Sequence, residues 1–117
     1  MRMGTFKVVS GGTEDDNRDV QREIGEIVRN NEVVIFMKGT PLQPRCGFSA
    51  RAVEILNNYQ LNFVAIDVLT DQGIREGVKV YANWPTIPQV YFKGEFVGGS
   101  DILLEMHEAG ELEELFK

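Results

Sequence analysis

Apolar and polar positions along the chain change period several times between residue 17 and its end. Val20, Ile24, Ile27 and Val28 recur at helical spacing behind the cap formers Asp16 and Asn17, predicting a helix to about Asn31. Glu32–Met37 (EVVIFM) drops that period for a β-branched and aromatic run, the mark of a buried strand. Gly39–Arg45 reads as a loop leading to Cys46, and Ala52, Val53, Leu56 and Tyr59 place a second helix behind it. Phe63–Val68 (FVAIDV) is a second buried strand, and Ile74, Val78 and Tyr81 mark a third helix opening near Thr70 or Asp71. Gln89–Phe92 and Glu95–Val97, split by Lys93-Gly94, form the arms of a β-hairpin. Gly98-Gly99 breaks it. A helix from about Ser100 to Ala109 stops at Gly110, and Leu112–Phe116 closes the chain as a short acidic amphipathic helix.

The order α-β-α-β-α-β-β-α-α contains one β-α-β unit, whose crossover is right-handed, followed by a hairpin. Such an order builds a four-stranded mixed sheet flanked by helices, an α/β arrangement of the thioredoxin-like type. Residues 1–16 lack any period and carry Ser10-Gly11-Gly12-Thr13 before Glu14-Asp15-Asp16, so they read as a flexible leader to a domain over 17–117. The leader's acidity is unlike that of a transit peptide, although a longer targeting sequence removed upstream is compatible with it.

Composition narrows the possible functions. A length of 117 residues, 43% hydrophobic and 26% charged, suits one globular domain whose core needs no covalent staples. The net charge of −6 argues against a general nucleic-acid binder or a binder of anionic membranes, both of which need a basic footprint. No apolar run approaches the roughly 18 residues of a membrane span, and no signal-peptide core opens the chain. The single cysteine forbids an intramolecular disulfide and points to a reducing intracellular compartment. One Cys and one His also cannot close a Cys/His metal site, so any metal chemistry recruits ligands from carboxylates, a second chain or a small molecule.

Cys46 follows a strand and a loop and opens a helix, where unpaired N–H groups favour a thiolate; Lys38 and Arg45 add positive charge. The alternative is a small buried hydrophobe, the commoner fate of a lone free cysteine. Trp84-Pro85-Thr86-Ile87-Pro88 is either a rigid loop or, with a cis Ile87–Pro88 bond, a segment that turns backbone groups toward Cys46 for pairing with an extended peptide. Ser100 or Asp101 reads as a helix N-cap beside the Gly98-Gly99 pair. Arg75 and Lys79, four apart, share a helix face that is either solvated or ligand-binding. His107 sits in the last turn of its helix, where a cation favours the dipole, and Glu111, Glu113 and Glu114 form a solvated acidic face; neither is assigned chemistry.

Lys38-Gly-Thr-Pro41, Cys46-Gly-Phe-Ser49, Trp84-Pro-Thr-Ile-Pro-Gln89 and Gly98-Gly99-Ser100-Asp101, in that order and spacing, resemble the monothiol (CGFS-type) glutaredoxins. The likeness runs from about Val20 to Lys117, and the closing GEFVGGSDILLEMHEAGEL is similar to single-domain mitochondrial and bacterial members. The resemblance implies a thioredoxin-like fold and makes Cys46 the redox thiol and the iron ligand. It also implies a glutathione site: Lys38 and Arg75 on the glycyl carboxylate with Lys79 near that end, Ile87 before a cis Pro88 on the cysteinyl unit, and Ser100 with Asp101 on the γ-glutamyl end. Two departures limit what carries over. Many relatives have a second cysteine where this chain has Ser100, and dithiol members have one where it has Ser49, so two-thiol reduction is closed to one subunit.

Two functions of different class follow. One is a carrier of a 2Fe–2S cluster, which generally wants four thiolates; Cys46, its copy in a second subunit and two glutathione thiolates complete that set. The protein is then a cluster-bridged homodimer when loaded and a monomer when apo. The other is a weak glutathione-dependent thiol–disulfide oxidoreductase working through Cys46. The resemblance further implies acceptor apoproteins and BolA-type proteins as partners, and a bacterial cytoplasm or mitochondrial matrix as the compartment.

Overall fold

A computed structural model of the chain describes residues 6–9 and 18–117. Its sheet is built on β2 (Val33–Met37), a run with no polar residue and every side chain buried. Val33, Ile35 and Met37 point to one face and Val34 and Phe36 to the other, each into its own apolar cluster, as a strand covered on both sides requires. β5 (Phe63–Asp67) lies parallel to β2 on one side. On the other side β6 (Gln89–Phe92) runs antiparallel to β2, and β7 (Glu95–Gly98) antiparallel to β6. The turn between β6 and β7 takes Lys93 and Gly94 to φ +50° and +85°, the left-handed pair that a two-residue hairpin favours.

These four strands are the thioredoxin-like mixed sheet that the pattern predicts. A fifth, β1 (Phe6–Val9), pairs parallel with the outer edge of β5, Phe6 opposite Phe63 and Val9 opposite Ile66. It falls inside the stretch read as a leader, the rest of which, like the Asp16 and Asn17 caps, lies outside the described residues.

On one face α1 (Val20–Asn30) and α3 (Gln72–Ala82) cover the cluster around Phe36, Ile66 and Tyr91. The N-cap of α1 is Asp19, whose carboxylate accepts the Arg22 N–H at 3.0 Å. Asp71 caps α3 by accepting the Ile74 N–H at 3.1 Å. Arg18 joins the two helices, donating to Asp71 at 2.9 Å and to Glu23 at 2.8 Å, so the almost fully buried Asp71 carboxylate is paired. On the other face lie α2 (Gly47–Asn57), α4 (Ser100–Glu108) and α5 (Glu111–Leu115), over Ile35, Leu56, Leu103 and Leu112. His107 is structural here: its Nδ1 hydrogen-bonds the Tyr59 hydroxyl, and Tyr59 stacks edge-on against Phe116 with ring centroids 5.3 Å apart. Among the described residues no helix is long and apolar enough to cross a membrane.

Candidate functional site

The segment leaving β2 turns back at once. Gly39–Thr40 (β3) and Gln43–Pro44 (β4) form a two-rung hairpin, more ordered than the plain loop the sequence suggests, and the Arg45 N–H returns to the Lys38 carbonyl at 2.9 Å. Gly39 is required at the first rung. Its φ is +91°, and a Cβ there would lie 2.6 Å from the Gln43 carbonyl oxygen. This reversal sets Cys46 as the N-cap of α2, with its carbonyl accepting the Ala50 N–H at 2.9 Å.

Cys46 is half-buried, not a core residue. Burial alone pushes its thiol up, but the Ser49 and Phe48 N–H groups, the Lys38 charge and the Ser49 hydroxyl favour the anion, and the net result is a thiol below its ordinary value. Ser49 is fully buried, and its oxygen also accepts the Lys38 N–H at 3.1 Å, so its one proton is free for the sulfur. The sign of the pH effect follows. The thiolate population, and with it the alkylation rate, reaches its plateau at lower pH than for an ordinary cysteine. Following iodoacetamide alkylation against pH is expected to give a midpoint below the roughly 8.5 of a free thiol. Lys38→Gln and Ser49→Ala should each move that midpoint upward; a wild-type midpoint at or above the free value contradicts this reading.

Cys46 opens onto a cleft of about 470 Å³, well inside the range of small-molecule sites. Lys38, Arg75, Lys79, Ile87, Pro88, Ser100 and Asp101 all line it. The Ile87–Pro88 peptide is cis. The residue after β2, the start of α2, α3, the segment before β6 and the start of α4 therefore meet in one place. Phe48, Trp84, Thr86 and Ile102 complete the lining.

The polar groups of the lining differ in how they are engaged. Of the cations, the Lys79 ammonium is held by Glu76 on its own helix at 3.0 Å. At the start of α4 the cap differs from the sequence expectation: neither Ser100 nor Asp101 but Gly99 is the N-cap, and no side chain caps the helix. A Cβ at Gly99 would sit 3.1 Å from the Pro88 carbonyl oxygen, so a capping side chain has little room there. Ser100 starts the helix, and its buried hydroxyl oxygen, like the Trp84 indole nitrogen, has no hydrogen-bond partner among the described residues. An uncapped helix start with two orphaned polar atoms beside it suits an anionic group that the protein itself does not supply. The exposed Asp101 carboxylate pairs at 3.3 Å with Arg51, whose guanidinium lies over the Phe48 ring at 5.9 Å. Arg51 carries no sequence signal for this contact, since it depends on α2 and α4 lying side by side.

Among the described residues no three His, Cys, Asp or Glu side chains gather where they could hold a metal. Residues 33–97 match the glutaredoxin family model. The chain is 52% identical over 101 residues to the "uncharacterized monothiol glutaredoxin ycf64-like" protein of Synechocystis sp., covering 86% of this chain and 94% of that one. It is 56% identical over 99 residues to the mitochondrial glutaredoxin-related protein 5 of Danio rerio, covering 83% of this chain and 64% of that one. Among solved structures it resembles a monomeric truncated mutant of Trypanosoma brucei 1-C-Grx1, with a TM-score of 0.75 and 38% identity over 85% of this chain and 90% of that one.

Proposed function

The chain belongs to the glutaredoxin family, among its monothiol members, and from that premise we propose that it binds glutathione in the Cys46 cleft and carries a 2Fe–2S cluster, as cargo, to acceptor apoproteins. The observation that carries this reading is the chain's one thiol, held acidic in the lining of a cleft that also carries three cations and an uncapped helix start. A tripeptide with a carboxylate at each end can use both kinds of anion-binding group. Lys38 and Arg75 take the glycyl carboxylate with Lys79 beside them, the Ile87 backbone pairs with the cysteinyl unit, and the Ser100 hydroxyl and helix-start N–H groups take the γ-glutamyl carboxylate. The ligand's ammonium then replaces Arg51 on Asp101.

A 2Fe–2S cluster is held by four thiolates in most sites. One chain offers one, so two chains and two glutathione molecules hold it between them, and the loaded form is a homodimer. Half of the ligands are small exchangeable molecules, which favours transfer. The mitochondrial name of one relative and the cyanobacterial source of another suit a mitochondrial matrix or a bacterial cytoplasm. BolA-type proteins are proposed as alternative partners for one half of the dimer.

The acidic Cys46 favours a second reading, thiol–disulfide exchange. Its thiolate attacks the glutathionyl sulfur of a protein mixed disulfide, forming a Cys46–glutathione disulfide and releasing the protein thiolate. A second glutathione thiolate then releases Cys46 and leaves as glutathione disulfide. We expect this turnover, measured on a glutathione mixed-disulfide substrate, to be far below that of a dithiol glutaredoxin. Comparable turnover would make exchange the main function and cargo transfer secondary.

A further inference from the structure

The backbone step that presents Lys38 is held from two sides. Ser49 accepts the Lys38 N–H, and Asp67 Oδ1 accepts the next one, the Gly39 N–H, at 3.0 Å. The same Asp67 oxygen accepts the Leu69 N–H at 2.9 Å, and the Asp67 carbonyl accepts the Thr70 hydroxyl at 2.9 Å. Asp67 ends β5 directly beside Met37, the last residue before Lys38. One carboxylate thus joins the peptide after β2 to the 3-10 turn Val68–Thr70 that leads into α3 and Arg75. The peptide it grips has little slack, because Gly39 is buried and already in the left-handed region.

Building on the reading of the cleft as a glutathione site, we propose that Asp67 is a positioning residue: its carboxylate fixes the Lys38–Gly39 step so that the Lys38 ammonium faces Cys46 and, with Arg75, the glycyl carboxylate of the bound tripeptide. A charged residue closing an otherwise apolar strand is the only mark of this in the sequence.

Position and charge act with opposite signs, which makes the assignment testable. Asp67 is itself an anion. Removing it, by electrostatics alone, makes the Cys46 thiolate easier to form and alkylation faster. Releasing Lys38 from its place makes alkylation slower. The experiment compares wild type with Asp67→Ala, Asp67→Asn and Asp67→Ser, measuring the iodoacetamide alkylation rate at pH 7 and glutathione affinity by calorimetry. Asp67→Ala is expected to alkylate about threefold more slowly and to bind glutathione about fivefold more weakly. Asp67→Asn keeps the acceptor oxygen without the charge and is expected to restore both to within about twofold of wild type. Asp67→Ser can still cap Leu69 but is too short for Gly39; it is expected to follow Asp67→Ala and replaces it if circular dichroism shows that variant unfolded. Alkylation of Asp67→Ala, or of its serine substitute, at the wild-type rate or faster overturns the proposal, as does an asparagine variant as impaired as the alanine one. The alkylation arm needs no glutathione. Wild type that fails to bind glutathione therefore overturns the reading of the cleft, while the rates still decide the role of Asp67.

Discussion

Cys46→Ser is expected to abolish cluster uptake completely while leaving the fold intact. Cys46 is the only thiol in the chain, so no other residue can supply a thiolate to iron, and a serine hydroxyl stays protonated where the cysteine ionises. The position is the N-cap of α2, where serine is among the preferred residues, so the substitution does not weaken the helix start. The check is the visible spectrum after anaerobic incubation with iron, sulfide and glutathione, alongside far-ultraviolet circular dichroism. Retention of a normal 2Fe–2S spectrum in this variant would falsify the assignment of Cys46. Loss of the spectrum together with the circular-dichroism signal would show a folding role instead.

Glutathione affinity should depend most steeply on Arg75. The residue lines the cleft with Lys38 and Lys79 from near the start of α3, a helix locked in place by the Asp71 cap and the Arg18 bridge. A hydrogen bond between a guanidinium and a carboxylate contributes about 1.5–3 kcal/mol, so Arg75→Ala is expected to weaken binding by about tenfold or more. Arg75→Lys keeps the charge but not the planar fork and should fall between. Lys79→Ala should cost less than Arg75→Ala, because Glu76 already holds the Lys79 ammonium. Calorimetric titration at low ionic strength reads all three. An Arg75→Ala variant that binds as tightly as wild type would mean that the tripeptide lies elsewhere or reversed.

The four central strands and their helices are legible in the sequence because each declares itself by a period. EVVIFM is a strand buried on both faces, and Val20–Val28 keeps helical spacing. β1 is harder to read: Phe6-Lys7-Val8-Val9 is a four-residue run beside a Gly-rich acidic stretch, and pairing in parallel with a distant strand leaves no hairpin turn to mark it. The α4 cap is misread for a steric reason. Ser100 and Asp101 are good cap formers, but Ser100 is already the first helical residue and the cap position falls on the glycine before it, which Pro88 crowds.

In the site, the residues expected to meet a ligand, Lys38, Cys46, Arg75, Lys79, Ile87, Pro88, Ser100 and Asp101, all line one cleft. Asp67 and Arg51, which no motif marks, act on that site across the fold, and so does Ser49, whose motif gives no sign of its contact. Ser49 against Lys38, Asp67 against Gly39 and Arg51 against Asp101 are contacts between separate elements, and no spacing along the chain encodes them.

The most direct test of the account is anaerobic reconstitution of the wild-type chain with iron and sulfide, with and without glutathione, recording the visible spectrum while sizing the protein. The expected result is a 2Fe–2S spectrum on a dimer that forms only when glutathione is present and reverts to a colourless monomer when the cluster is lost. A cluster bound without glutathione, or a colourless monomer in its presence, would contradict it.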